Sequence, residues 1–315
     1  AGVTLFLIGV VDNAWLIGII YCVCMFGLNM MLAPVIATLS DRVPDDMRAT
    51  MSAFNSAGTT VGSSLGTLIG AKFITIQIPG FATAGILMGL AGIATIVVWP
   101  REQSSKDLPP VEGGFKEFLA SFRPPMHNAR DFWLAFTGRT LLIFSYYMIL
   151  NYQLYILESY IGQSKTAAAA TISIMSVVTM VVALIGSLTS GAISDKLGRR
   201  KIPVNIASLL LAIGYLLPWV MKTSFSMILF AGFAGLGYAV YGAVDQALNV
   251  DVLPNKEEAG KDLGILNIAT TLGQTAGPIV TSALVGMAGY NLVFPVAIAF
   301  AVLACIFIQM IRSVK

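Results

Sequence analysis

Polar side chains recur at helical spacing inside two long apolar segments of the sequence. In the first segment, Arg139, Tyr146 and Gln153 are seven residues apart, so they share one face of an α-helix. The second segment carries a similar stripe, spaced by three or four residues: Tyr238, Tyr241, Asp245 and Asn249. Because polar groups are costly inside apolar segments, the two stripes are the first candidates for a functional site.

The residue types in these stripes suggest two kinds of chemistry. Arg139 and Asp245 lie roughly 9 to 12 Å inside their segments at about 1.5 Å per residue, so they can meet as an ion pair. In one hypothesis Asp245 carries a proton, or pairs with Arg139 in one state and releases it in another. The alternative is a static pair that holds two helices together. Tyrosine faces and planar amides suit the C–H surfaces and hydroxyls of a sugar.

Other polar and small residues within apolar segments extend the set of candidates. Further candidates for substrate binding are Gln246, Gln274 and Asn29. We predict that Asn55 and Asn267 form hydrogen bonds between helices. Glycines spaced four apart predict close helix packing. The glycines in this group are Gly58, Gly62 and Gly66 in one segment and Gly273 and Gly277 in another.

The composition requires membrane-spanning helices to position these side chains. Only 11% of the 315 residues are charged, against about 25% in soluble proteins, which excludes a soluble enzyme. Apolar runs of about 20 residues, each long enough to cross a bilayer, recur along the chain. We predict spans at 14–38, 49–75, 80–99, 131–157, 167–192, 202–221, 224–250, 263–287 and 290–311, after a partial span at 1–11.

Lysine and arginine predict how these spans are oriented. Fifteen of the 19 basic residues fall in the connections 39–48, 100–130, 193–201 and 251–262 and in the tail 312–315. The positive-inside rule places these connections and the C-terminus in the cytoplasm. We therefore expect a multi-pass protein of the inner or plasma membrane.

Several kinds of chemistry find no support in the sequence. It lacks the motifs G-x-x-x-x-G-K-(S/T) and H-E-x-x-H and has no plausible nucleophile–base pair, which argues against an enzyme. The three cysteines have no ligand-like spacing, so we expect no metal and no cofactor. A net charge of +3 is too small to indicate a nucleic-acid partner.

An internal repeat divides the chain into two halves. The series Asp41, Pro44, Asn55, Ala57, Thr59, Gly62, Gly66 matches the series Asp251, Pro254, Asn267, Ala269, Thr271, Gly273, Gly277 at an offset of 210 to 212 residues. Parallel six-span repeats describe one large class of secondary transporter. We predict the rest of an N-terminal bundle at 1–99, a cytoplasmic linker at 100–130 with a surface helix near 115–122, and a C-terminal bundle at 131–315. The repeat also predicts that the first two and a half helices of a twelve-span chain of about 400 residues are missing.

The segment G-A-I-S-D-K-L-G-R-R-K at 191–201 resembles the signature loop of the major facilitator superfamily. The resemblance implies an all-α membrane fold of two pseudo-symmetric six-helix bundles. It also implies a gating role for the loop, in which Asp195 meets the N-terminus of a helix near residues 47–50. The residues of the motif are Gly191, Asp195, Gly198, Arg199 and Arg200.

A second segment, G-K-D-L-G-I-L-N-I-A-T-T-L-G-Q at 260–274, resembles sucrose-type transporters and glycoside–cation symporters. This resemblance implies a symporter for a sugar or glycoside, which we expect to be a monomer and to work by alternating access between the two bundles. The coupling ion is expected to be a proton, with sodium as the alternative. Two other functions stay open at this point, a proton-driven exporter of drugs or other amphiphilic solutes and a non-transporting membrane receptor.

Overall fold

The structure is a computed structural model that describes residues 1–42, 48–74, 76–98, 123–126, 129–197, 201–254 and 259–313. Every regular element within those residues is helical. The long helices are α1 (Gly2–Val10), α2 (Ala14–Arg42), α3 (Arg48–Ala71), α4 (Gln77–Val98), α5 (Arg130–Leu150), α6 (Lys165–Leu197), α7 (Lys201–Met221), α8 (Ser224–Asp251), α9 (Ala259–Ala288) and α10 (Val293–Gln309). Three short elements join them: Gln153–Tyr155, a π-helical turn at Ile156–Tyr160 and a 3₁₀ turn at Tyr290–Leu292.

The nine predicted spans correspond to α2 through α10, so the all-helical fold class is confirmed. Six helices are long and apolar enough, over the residues the structure describes, to cross a membrane. These six segments are Ile78–Val98, Arg130–Leu150, Lys165–Ser190, Lys201–Met221, Ser224–Asp245 and Tyr290–Gln309. The chain is therefore a multi-pass membrane protein.

The span predicted at 131–157 is wrong in its C-terminal part. The helix α5 ends at Leu150, and the chain turns at Asn151 and Tyr152 before the short helical turns that follow. The apolar character of the sequence continues through this break, so hydropathy does not detect it. Asparagine weakens a helix interior because its side chain competes for backbone hydrogen bonds.

The described helices divide into two compact units, one made of residues 1–55 and 69–113 and the other of residues 56–68 and 114–315. In the first unit α1 packs against both α2 and α4. The approach of α1 to α4 is close, since a Cβ added at Gly85 would lie 2.6 Å from the carbonyl oxygen of Gly2. Only glycine fits at such a backbone contact.

In the second unit α5 packs against α9 and α10, and α8 packs against α6 and α7. The helices α7 and α10 also pack against each other. Glycines again set the closest approach, because Cβ atoms at Gly273 and Gly277 of α9 would meet the backbone of α5 at 2.9 to 3.0 Å. Thr281 on the same face donates a hydrogen bond of 3.0 Å from Oγ1 to the carbonyl oxygen of Met148.

The helix positions follow the internal repeat. The helix α2 begins at residue 14 and α8 at residue 224, 210 residues later, while α3 begins at 48 and α9 at 259, 211 residues later. Most of the predicted linker, including the surface helix expected near 115–122, lies outside the described residues.

Candidate functional site

An ion pair joins α5 to α8 in the interior of the second unit. The Nη1 atom of Arg139 lies 2.9 Å from Oδ2 of Asp245. Both residues are buried, at 7% and 4% exposure. Because each charge is removed from solvent, the pair is stable only while both partners are present and hydrogen-bonded.

Neighbouring polar groups partly complete this ion pair. Nε of Arg139 donates to Oγ1 of Thr270 on α9 at 3.0 Å, and Nδ2 of Asn249 donates to Oδ2 of Asp245 at 3.1 Å. Within the described chain, Oδ1 of Asp245 has no hydrogen-bond partner. The hydroxyl of Tyr241 approaches Asp245 without reaching hydrogen-bond geometry. One carboxylate oxygen is therefore buried without a hydrogen bond of normal geometry.

A pair of stacked tyrosines lies next to the ion pair on the same two helices. The rings of Tyr146 and Tyr238 stack with centroids 4.2 Å apart and planes 9° apart. Tyr146 is seven residues after Arg139 on α5, and Tyr238 is seven residues before Asp245 on α8. Seven residues make two helical turns. Antiparallel α5 and α8 can therefore form the ion pair and the tyrosine stack at the same time.

Sequence reasoning missed Tyr147, which connects the stacked pair to α9. Its ring lies edge-on to Tyr238 at 6.5 Å between centroids, and its hydroxyl accepts a hydrogen bond of 3.0 Å from Nε2 of Gln274. Tyr147, Tyr238 and Gln274 are half-buried, whereas Tyr146 is buried. The accessible part of the cluster is therefore a tyrosine rim with one amide, which we define as Tyr147, Tyr238 and Gln274.

The family model of the Major Facilitator Superfamily matches the chain twice, over residues 1–164 and 139–314. The chain belongs to the major facilitator superfamily. Comparison with curated proteins gives no match.

Two solved structures of a bacterial transporter homologue share the fold. A bacterial homologue of the human lysosomal transporter Spinster, in an inward-facing unoccupied conformation, is 19% identical with a TM-score of 0.65, covering 98% of this chain and 80% of its own. Its inward-facing occupied structure is 15% identical with a TM-score of 0.66, over 98% and 79%. The human organic anion transporter MFSD10 is 18% identical with a TM-score of 0.48, over 60% of this chain. This chain covers 48% of that protein, about half its length.

The other residues predicted for substrate binding differ in their surroundings. Gln153 lies beyond the end of α5, in the short turn Gln153–Tyr155. Asn29 is exposed on α2 and donates from Nδ2 to the carbonyl oxygen of Met25 within its own helix, at 2.8 Å. Tyr241 and Asn249 are buried beside Asp245, so their surroundings are those of the ion pair rather than of the tyrosine rim.

The predicted packing residues differ among helices. Gly273 and Gly277 contact α5 closely, as described above, whereas Asn267 is exposed on α9. On α3, a Cβ at Gly58, Gly62 or Gly66 would meet no atom of the described residues within 4 Å. The packing role of these three glycines stays a prediction.

Several superfamily motif residues lie where the structure gives no side-chain description. The backbone of Gly191 and Asp195 is helical within α6, and Gly198, Arg199 and Arg200 fall outside the described residues. The side chains of Asn55 and Gln246 are likewise not described. The gating role of the motif stays a prediction. No cluster of three or more histidine, cysteine or acidic residues that could hold a metal occurs within the described chain.

Proposed function

We propose that the chain is a proton-coupled transporter that moves a small polar solute, a sugar or glycoside, across the inner or plasma membrane by alternating access. The buried pair of Arg139 and Asp245, in which one carboxylate oxygen lacks a hydrogen bond of normal geometry, is the observation that carries this proposal. In the proposed cycle the C-terminus faces the cytoplasm, as the basic connections predict.

Protonation of Asp245 has a direct mechanical consequence. A proton on Oδ1 neutralises the carboxylate, which leaves the guanidinium of Arg139 buried with Thr270 as its remaining described partner. Breaking a buried pair by neutralising one partner costs about 3 to 5 kcal/mol. This energy favours an arrangement in which α5 and α8 separate and Arg139 finds another partner. Protonation can thereby shift the populations of two conformations by roughly two to four orders of magnitude.

The tyrosine rim supports a sugar as the transported solute. An exposed ring face can contact the C–H surface of a pyranose, and hydroxyl and amide groups can bind its hydroxyls. Tyr238 supplies a half-buried ring, and Gln274 and Tyr147 supply polar groups already joined by a hydrogen bond. The similarity of residues 260–274 to glycoside–cation symporters supports the same class, because this segment contains Gln274.

Transport measurements on Asp245→Asn test the proton-coupling role. The purified protein is reconstituted in vesicles and supplied with radiolabelled mono- and disaccharides chosen by a thermal-shift screen. We expect Asp245→Asn to lose accumulation driven by a proton gradient while keeping exchange of labelled for unlabelled sugar. The matched control is Asn151→Asp, which adds a carboxylate at an exposed turn outside the cluster. Unchanged accumulation by Asp245→Asn, or accumulation driven by sodium alone, would contradict the proposal.

The same vesicles test the choice of solute. Proton movement that depends on an added sugar supports the symporter. Efflux of dyes or drugs without any sugar uptake would instead assign an exporter of amphiphilic solutes, and proton movement that responds to no solute would contradict transport altogether.

A further inference from the structure

A groove runs between α7 and α10 on the outer surface of the second unit. Its volume is about 450 Å³. The part of the groove farther from Lys201 is lined by apolar side chains, among them Leu209 and Ala212 of α7 and Val302 and Ile306 of α10. Leu209 is 62% exposed, and Ile306 is also exposed. Since both helices are long and apolar enough to span a membrane, this surface faces lipid.

One end of the groove is polar, and its polar groups are incompletely satisfied. Oδ1 of Asn205 accepts hydrogen bonds from Nε2 of Gln309 at 2.5 Å and from Sγ of Cys305 at 3.1 Å. The amide nitrogen of Asn205 carries two donors and has no partner among the described residues. Ser208 is 5% exposed, and its hydroxyl likewise has no hydrogen bond there, although Cys305 lies nearby. Donors that remain unpaired in an apolar environment favour a ligand with an acceptor oxygen.

A positive charge lies next to the polar end of the groove, outside its lining residues. Lys201 is the first residue of α7, one helical turn before Asn205. Its Nζ donates to the carbonyl oxygens of Gln309 at 3.3 Å and Ile311 at 2.5 Å. An ammonium has three donors, so one remains available. No carboxylate of the described residues forms a salt bridge with Lys201.

We propose that this groove binds one membrane phospholipid. The acyl chain lies against Leu209, Ala212 and Val302, an ester carbonyl accepts from Asn205 and Ser208, and the phosphate lies at Lys201. Along α7 the charge, the donors and the apolar wall follow one another over 11 residues, about 16 Å at 1.5 Å per residue. Phosphate, ester and acyl chain follow the same order in a phospholipid at the bilayer surface. A sterol would fit less well, because its single hydroxyl leaves Lys201 without an anion.

A matched pair of tryptophan substitutions tests occupancy of the groove. Val302→Trp fills the groove, whereas Val220→Trp adds the same ring on α7 at a site that is 69% exposed and outside it. The protein is stripped of lipid in detergent and titrated with dioleoylphosphatidylglycerol. The two readouts are the melting temperature and the number of bound lipids by native mass spectrometry. We expect saturable binding of one lipid that Val302→Trp abolishes and Val220→Trp retains. Equal binding by the two variants would overturn the proposal.

Ser208→Ala is a second test that does not depend on inserting a large ring. Because its hydroxyl has no hydrogen bond of normal geometry in the described chain, removing it should change the stability of the lipid-free protein little. Lipid binding should nevertheless weaken about 10-fold, the factor that corresponds to one net hydrogen bond. Unchanged lipid affinity would contradict the assigned contact, and it decides the question if Val302→Trp does not fold.

The phosphate contact is tested with dioleoylglycerol, which has the same acyl chains and no phosphate. We expect the unmodified protein to prefer phosphatidylglycerol and Lys201→Met to bind both equally. A protein that binds dioleoylglycerol as tightly as phosphatidylglycerol would show that Lys201 has no role in recognition.

Discussion

A double-mutant cycle on the buried ion pair tests whether Arg139 and Asp245 separate during transport or only hold two helices together. The three variants are Asp245→Asn, Arg139→Gln and the two combined. Asp245→Asn leaves a buried guanidinium bonded to Thr270 and to no carboxylate among the described residues. Arg139→Gln leaves a buried carboxylate whose described hydrogen-bond donor is Asn249. Each single change should destabilise the protein by about 3 to 5 kcal/mol.

The combined variant should recover most of that loss. With both charges removed, the amides of residues 139 and 245 can bond to each other, and no uncompensated charge stays buried. Replacing a buried pair by neutral groups is commonly close to neutral in stability, so the two effects should be non-additive by at least about 2 kcal/mol. Thermal unfolding of the purified variants in detergent gives the stabilities, with Asn151→Asp as a control that should unfold like the unmodified protein.

Transport by the same variants distinguishes the two roles. If Asp245 carries the proton, the combined variant is stable and exchanges substrate but does not accumulate it against a gradient. If the pair is only a link between helices, restoring stability restores proton-driven accumulation. Full accumulation by the combined variant, or single variants as stable as the unmodified protein, would refute the reasoning.

Three further predictions follow from contacts of the second unit. Gly273→Ala should destabilise the protein by roughly 1 to 3 kcal/mol in thermal unfolding, because its Cβ would lie 2.9 Å from backbone atoms of α5. Gly264→Ala, also on α9 but facing open space, should not destabilise it, and equal losses would contradict the assigned contact. Tyr147→Phe and Gln274→Ala each break the same hydrogen bond of 3.0 Å. Each substitution should therefore weaken sugar affinity about 10-fold, and the two losses should not add. Strictly additive losses would show that the two residues act separately. Asp131→Ala should speed hydrogen exchange at the amides of residues 312 and 313, which donate to Oδ2 of Asp131 at 3.0 and 2.7 Å. Asp131→Asn keeps an acceptor oxygen and should show less of this effect, and unchanged exchange in Asp131→Ala would contradict the role of these bonds.

The ion pair could be predicted from the sequence because charged residues are rare in apolar spans. Arg139 and Asp245 are opposite charges at similar depths, and the positions of their segments limited the helices they could join. The stacking of Tyr146 on Tyr238 follows from the same register, although only the structure shows it. Spacing of seven residues on both helices made this second contact a consequence of the first.

The contribution of α9 was harder to predict. Thr270, Gln274, Gly277 and Thr281 are spaced four, three and four residues apart, which is the signal of one helix face. Sequence reasoning separated this face into a substrate residue and a packing glycine, since periodicity shows which residues lie together and not which neighbour they meet. Tyr147 was missed for a related reason, because it lies about 100° around α5 from Tyr146 and outside the stripe.

The break after Leu150 shows a different limit of sequence reasoning. Hydropathy continues into Ile156 and Leu157, which are both fully buried, so the apolar signal does not stop where α5 stops. Length and hydropathy report the environment of a segment and not the hydrogen bonding of its backbone. As a result, Gln153 was assigned to a helical stripe that ends before reaching it.

The geometry of α5 and α8 explains how a proton and a solute can act on one another within the proposed cycle. The ion pair and the stacked tyrosines are two turns apart, about 10 Å along the same pair of helices. A shift of α8 along α5 by one turn would break the bond of 2.9 Å and also move Tyr238 off the face of Tyr146. Conversely, a ligand held against Tyr238 favours one register of the two helices and therefore one state of the ion pair. When two ligands each favour one register of the helices, each ligand alters the affinity of the other by the same factor. No direct contact between proton and solute is therefore required.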